Sequence, residues 1–111
     1  MSLAKLSHIL VLTSSVIDRF AIKFTLCNRM ELGSRVQFVS SRSEAKEAMT
    51  SLHSSTQGIF GFAIVIIDIQ ASTSILKKTI AEINATLCKH NILYKPRYVV
   101  MSAEIPDKAK I

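Results

Sequence analysis

Between residues 62 and 68 the chain reads Phe-Ala-Ile-Val-Ile-Ile-Asp, an unbroken apolar run, mostly β-branched, that stops on a carboxylate. The alternation of polar and apolar residues that marks a strand with one wet face is missing. Such a run suits a strand covered on both faces, as in parallel sheets flanked by helices. The wider run, Phe60 to Ile69, is too short to cross a bilayer and is broken at Asp68 and followed by Gln70. A strand of this kind needs two layers of cover, and the rest of the chain must supply them.

It does so by alternating two periodicities. His8-Ile-Leu-Val-Leu-Thr13 is a short, nearly continuous apolar run and reads as a first strand. Ile17, Phe20, Ala21, Phe24 and Cys27 then recur at helical spacing, which predicts a helix over Val16–Leu32. Gly33 stands just past its end, where a left-handed conformation costs glycine little. Val36-Gln-Phe-Val-Ser40 is a second strand, and Ala45, Ala48, Met49 and Leu52 mark a short helix behind capping-type serines at 40, 41 and 43. A loop over Ser54–Gly61 leads to the strand at 62–68. Leu76, Ile80, Ile83 and Leu87 stripe a third helix, with Ser72, Thr73 or Ser74 as its cap. Pro96 separates that helix from a fourth strand, Tyr98-Val-Val-Met101, and Ala103–Ile111 opens as one more helix.

The order βαβαβαβ(α) predicts one α/β domain over residues 1–111, with three layers and a parallel sheet. The expected spatial order is 2-1-3-4. A length of 111 residues with 49% hydrophobic content agrees with a single real core and excludes a disorder-type composition. Met1 to Lys5 precedes an apolar stretch but no small-residue cleavage site, so the sequence predicts no secretion signal and a cytoplasmic domain without membrane contact.

Charge and special residues exclude more than they suggest. The net charge is +6, but the basic residues are scattered from Lys5 to Lys110, with Lys77-Lys78 as the one adjacent pair. Five Phe, two Tyr and no Trp do not form the stacking platform of a single-strand binder, so the balance argues against nucleic acid as the partner. Cys27 and Cys88 form no Cys-x-x-Cys pair and read as small core residues in a reduced compartment. His8, His53 and His90 lack metal-ligand or catalytic spacing, and Asn84-Ala85-Thr86, a glycosylation sequon by pattern, falls inside a helical stretch. No Gly-x-Gly-x-x-Gly, Walker A loop or Gly-x-Ser-x-Gly elbow is present, which removes the usual nucleotide cradles and the α/β-hydrolase nucleophile.

In open parallel sheets, ligands bind beyond the carboxyl ends of the strands. Thr13, Ser14, Ser15, Asp68, Gln70 and Ser102 all fall there. Asp68 is the most informative of them. An ionised carboxylate inside the sheet would be costly, so it should emerge at the edge, either to cap a loop or to serve as nucleophile or metal ligand. Ser14 and Ser15 read more simply as hydroxyls that satisfy a strand-to-helix turn.

These residues resemble a family. Ile67-Asp68-Ile69-Gln70-Ala71-Ser72 is similar to the Met-Asp-Ile-Gln-Met-Pro motif that follows the third strand of response-regulator receiver domains, the CheY-like fold. Tyr98-Val-Val-Met101-Ser102-Ala103 resembles the family's Ile-Ala-Leu-Thr-Ala segment, and Ile9–Leu12 through Asp18-Arg19 resembles its Ile-Leu-Val-Val-Asp-Asp-Asn-x-x-Asn-Arg start. The resemblance implies a flavodoxin-like sheet and a module of two-component phosphorelay signalling. By the same resemblance Asp68 falls on the phosphoacceptor, Ser102 on the switch hydroxyl, and the Gln70 carbonyl on a Mg²⁺-ligand position. The implied partner is a histidine kinase or phosphotransfer protein, the rest of its own kinase chain included.

The departures shape the expectation. Thr13 and Ser14 stand where the family has its acidic Mg²⁺-binding pair, and Asp18 reads as lying along the first helix, too far away to compensate. Mg²⁺ prefers carboxylate ligands, so weak Mg²⁺ binding and no firm metal site are expected. The nine residues after Ser102 do not reproduce the family's fifth strand and its lysine, and Lys108 and Lys110 are wrongly placed for that role. The expectation is a degenerate receiver that is not an enzyme and acts by protein–protein contact. An exposed fourth-strand edge would favour a homodimer. A phosphorylation-competent receiver and a small basic nucleic-acid-binding protein are the alternatives.

Overall fold

Where apolar runs are short and β-branched the chain forms strands, and where the stripe recurs every three or four residues it coils. The computed structural model describes residues 5–68, 72–92 and 94–101. The elements are β1 (Lys5–Thr13), α1 (Val16–Lys23), a π turn (Phe24–Arg29), a 3-10 turn (Gly33–Arg35), β2 (Val36–Val39), α2 (Arg42–Ser55), β3 (Phe60–Asp68), α3 (Thr73–Lys89) and β4 (Arg97–Met101). The strands form one sheet in the order β2-β1-β3-β4, and every pairing is parallel. This is a flavodoxin-like α/β arrangement, as the alternating periodicity predicts. Residues 102–111, and with them the helix expected over Ala103–Ile111, lie outside the described residues.

Register decides which side chains share a face. Val39, Leu12 and Ile67 are lateral neighbours, as are Leu10 and Val65. These residues pack with Ala45, Ala48 and Met49 of α2 and with Ile83 and Leu87 of α3 into the main core. An ion pair of 3.3 Å between Arg42 and Glu82 ties the two helices at their exposed side. The alternate residues Phe38, Val11 and Ile66 form the opposite face. There the Arg19 guanidinium of α1 sits 5.3 Å from the centre of the Phe38 ring. So α1 covers one face, and α2 and α3 cover the other.

Capping explains where the helices start. Ser15, Ser41 and Ser72 each accept a backbone N–H three residues on, from Asp18, Glu44 and Ile75. Glu44 returns the favour by accepting from the Ser40 N–H at 3.0 Å, which pins the end of β2 to α2.

Several expectations need correction. The single helix over Val16–Leu32 ends as α-helix at Lys23 and continues as a π turn, closed by the Met30 N–H donating to the Thr25 carbonyl at 3.1 Å. The wider turn inserts one residue, and it changes which side chains face inward: Leu26 and Cys27 become half-buried while Phe24 stays exposed. The left-handed residue after this segment is Glu31, with φ of 56°, and Gly33 instead opens the 3-10 turn. Cys88 is exposed, not a core residue, because it falls on the outer side of α3 from Ile83 and Leu87. The 54–61 loop is shorter than expected, since α2 runs to Ser55 and β3 begins at Phe60. Gln57 and Gly58, with φ of 54° and 78°, make that tight reversal.

Candidate functional site

The strand order reverses direction between β1 and β3, and this switch point is where open parallel sheets build their sites. Thr13 and Asp68 are register partners at the carboxyl ends of these two strands. Thr13 is almost fully buried, and its hydroxyl donates to Asp68 Oδ2 at 2.8 Å. The same oxygen accepts the Ser15 N–H at 3.2 Å. The Thr13 hydroxyl thus donates to the carboxylate and accepts from the turn, and it holds Asp68 against the start of α1.

Ser15 begins the helix and fixes what comes next. Its Oγ accepts the Asp18 N–H at 3.2 Å, which places Asp18 at the third helical position. Helical side chains lean toward the N-terminus of their helix, and here that direction points at the sheet edge. Asp18 lies near enough for its like charge to push the Asp68 carboxyl up. Ser15-Val-Ile-Asp18 has the spacing of a capping box, but only half of it forms, because the Ser15 N–H goes to Thr13 Oγ1 and not to the Asp18 carboxylate.

Asp68 is half-buried. Burial, first of all, lifts its carboxyl above the ordinary value of 3.8, and the neighbouring Asp18 adds to the rise, while the hydrogen bond from Thr13 opposes it. A carboxylate that is desolvated and faces another carboxylate is one whose charge asks for a cation or a proton.

The other expected site residues divide. Ser14 is exposed and makes no hydrogen bond among the described residues, so of the two turn serines only Ser15 caps α1. Gln70 and Ser102 lie outside the described residues, as do Lys108 and Lys110. Among the described residues no group of three or more His, Cys, Asp or Glu side chains converges. The acidic side chains near this edge that could hold a Mg²⁺ ion are Asp68 and Asp18. Two carboxylates suit a Mg²⁺ that keeps several waters and completes its shell with a phosphate. Thr13 serves this edge by holding Asp68 through its hydroxyl.

Comparison of the chain with family models, with characterised proteins and with solved structures gave no significant match. The site and the fold therefore carry the functional reading by themselves. No helix among the described residues is long and apolar enough to cross a membrane.

Proposed function

We propose that the chain is a receiver-like signalling module whose site is built on Asp68 and which acts through protein–protein contact. The observation that carries this reading is the position of Asp68. It is a half-buried carboxylate at the end of a central strand, at the switch point of a parallel sheet, hydrogen-bonded at 2.8 Å to the neighbouring strand. The partner class is a histidine kinase or phosphotransfer protein, and the compartment is the cytoplasm. The sequence places Thr13 and Ser14 where a working receiver has acidic residues, which favours contact without phosphotransfer.

The proximity of Asp18 supports a second reading, a module that accepts a phosphoryl group. In that reaction the Asp68 oxygen not bonded to Thr13 attacks the phosphorus of a phosphohistidine. The phosphorus–nitrogen bond breaks, and the imidazole nitrogen keeps the electron pair and takes up a proton. Mg²⁺ held by Asp68 and Asp18 would supply charge neutralisation for the transferred group. Thr13 would orient the attacking carboxylate, and Ser15 would keep Asp18 at the helix entrance.

Calorimetric titration with Mg²⁺, together with acetyl phosphate labelling of the protein and of its Asp68→Asn and Asp18→Asn variants, separates the two. The first reading expects Mg²⁺ binding no tighter than millimolar and no stable label. Labelling that is abolished in Asp68→Asn and weakened in Asp18→Asn would replace it with the second. Salt-dependent binding to DNA or RNA, unaffected by both substitutions, would replace either with a nucleic-acid role.

A further inference from the structure

The amino end of β3 leaves the regular ladder and returns to it within a few residues. Lys5 and Leu6 pair with Phe60 and Gly61, and the same register resumes at Ile9 with Ile64 and runs to Thr13 with Asp68. Between these stretches His8 pairs with Phe62. Ser7 is thus skipped on β1 and Ala63 on β3, and the two irregularities cancel. One irregularity alone would shift the register beyond it and turn every following side chain to the other face. The cancelling pair keeps Asp68 opposite Thr13 and confines its effect to one place.

That place is Phe62. Val65 and Ile67 face α2 and α3, so strict alternation would set Ala63 on that side and Phe62 on the α1 side with Ile64 and Ile66. Phe62 instead belongs to the main core and is 1% exposed. A bulge re-aims a side chain, and this one brings inward the bulkiest fully buried side chain among the described residues.

Two aromatic neighbours hold Phe62 there. Among the described residues β4 pairs with β3 from Ile64 onward. At Phe62 that side of β3 is met by Tyr94, from the connection ahead of β4, whose hydroxyl accepts the Phe62 N–H at 3.3 Å. The Tyr94 ring takes the space over Gly61, where a Cβ would stand 2.6 Å from it. From β1 the His8 ring meets Phe62 edge-on, with centroids 6.0 Å apart, and Phe60 at 5.5 Å.

Because the register is the same on both sides of the irregularity, a second pairing is open to this segment without moving the rest of the sheet. In it Ser7 would pair with Phe62 and His8 with Ala63. The ladder would be regular, and Phe62 would turn to the α1 side. Burial of Phe62 and its bond to Tyr94 favour the observed pairing, and the ladder positions of Ser7 and Ala63 favour the other. A segment with two packings inside a fixed surround is a two-state element.

We propose that residues 60–63 form a two-register latch with the Tyr94 hydroxyl as its catch. Held by Tyr94, the segment keeps Phe62 in the core. Released, it relaxes to the regular register and Phe62 swings to the α1 side, while Asp68 stays opposite Thr13. The connection between α3 and β4 thereby sets the position of one side chain on a central strand. This inference does not depend on the chemistry at Asp68.

The test is NMR of the full chain. The register is read from backbone proximities between β1 and β3, and interconversion from relaxation dispersion. The parent should show His8 against Phe62. Tyr94→Phe keeps the ring and removes the catch, so it should raise the population of the second register about fivefold. Dispersion should then appear at Ser7, His8, Phe62 and Ala63 and be absent at Thr13 and Ile67. Phe62→Ala combined with Ala63→Phe offers the regular register an inward phenylalanine, and that double variant should fold with Ser7 against position 62. Adding Tyr94→Phe to it should change nothing at these four positions. No dispersion in Tyr94→Phe, or dispersion spread evenly along β3, would overturn the proposal. So would a double variant that keeps His8 against position 62 or fails to fold.

Discussion

Two faces of one sheet, built from alternate residues of the same strands, have met different fates. On one side Leu12 and Ile67 vanish beneath α2 and α3. One residue away along β3, Ile66 faces the α1 side and keeps part of its surface in water. The side chains are chemically the same. What differs is the number of helices available to cover them, two on one face and one on the other among the described residues. The burial of a strand residue is thus a property of its neighbours across the layer rather than of its own hydrophobicity.

Substitutions can break that comparison or sharpen it. The largest effect should come from Ile67→Ala, which removes a fully buried side chain packed between two helices and should cost about 3–4 kcal/mol in urea unfolding. The matched change on the other face, Ile66→Ala, should cost about 1 kcal/mol, because water already reaches the site and no closed cavity is left. Equal losses at the two positions would erase the asymmetry.

Next in size is the base of β3. A Cβ at Gly61 would stand 2.6 Å from the Tyr94 ring, whose hydroxyl accepts the Phe62 N–H at 3.3 Å. Gly61→Ala should therefore cost about 1–3 kcal/mol, and Gly61→Ala combined with Tyr94→Ala should cost less than the sum of the two changes.

Tyr98 tests the covered side of the edge strand. Its hydroxyl donates to Asn84 Oδ1 at 2.8 Å, and burial, with the neighbouring Tyr94 second, pushes its phenol up to about 12. The un-ionised phenol is favoured by the fold, so its contribution is complete below the ordinary value of 10.0 and is lost as pH rises toward about 12. An ultraviolet titration should show one tyrosine ionising in that upper range. Tyr98→Phe should cost about 1 kcal/mol at neutral pH.

The smallest effect has the opposite sign. The Asp68 carboxyl titrates above its ordinary value, so the fold favours its protonated form. That preference is satisfied in acid and turns into a cost as pH rises through the folded value. Asp68→Asn should stabilise the protein at neutral pH by up to about 1 kcal/mol, reduced by solvent screening because the group is half-exposed. The gain should vanish in acid, where the Asp68 carboxyl is protonated. A destabilising Asp68→Asn at neutral pH would mean that the site tolerates the charge well.

The four strands and their order were legible because apolar runs without alternation have few other uses, and alternation with helices restricts the connections. The asymmetry between faces was not. Ile17, Phe20 and Phe24 announce a helix with an apolar side, but a stripe says nothing of whether another element covers it. The π turn was hidden for a related reason, since Thr25, Leu26 and Cys27 carry no residue that forbids a regular helix. Within the site, Asp68 and Thr13 could be read from their places at strand ends. The reach of Asp18 depends on how side chains lean from the first helical turn, a direction that residue spacing alone does not carry.

The Phe24–Arg29 turn leaves α1 and its extension one amino acid too long for a regular coil. A hydrogen bond that reaches back five residues encloses one more than a bond that reaches back four. Removing a single residue such as Thr25 would let the coil close normally and would swing everything after it by about 100° around the helix axis. Arg29 would then leave the Phe24 ring, and Leu26 and Cys27 would exchange places with residues now facing water. The extra residue acts as a phase setting, and a one-codon deletion is enough to change it.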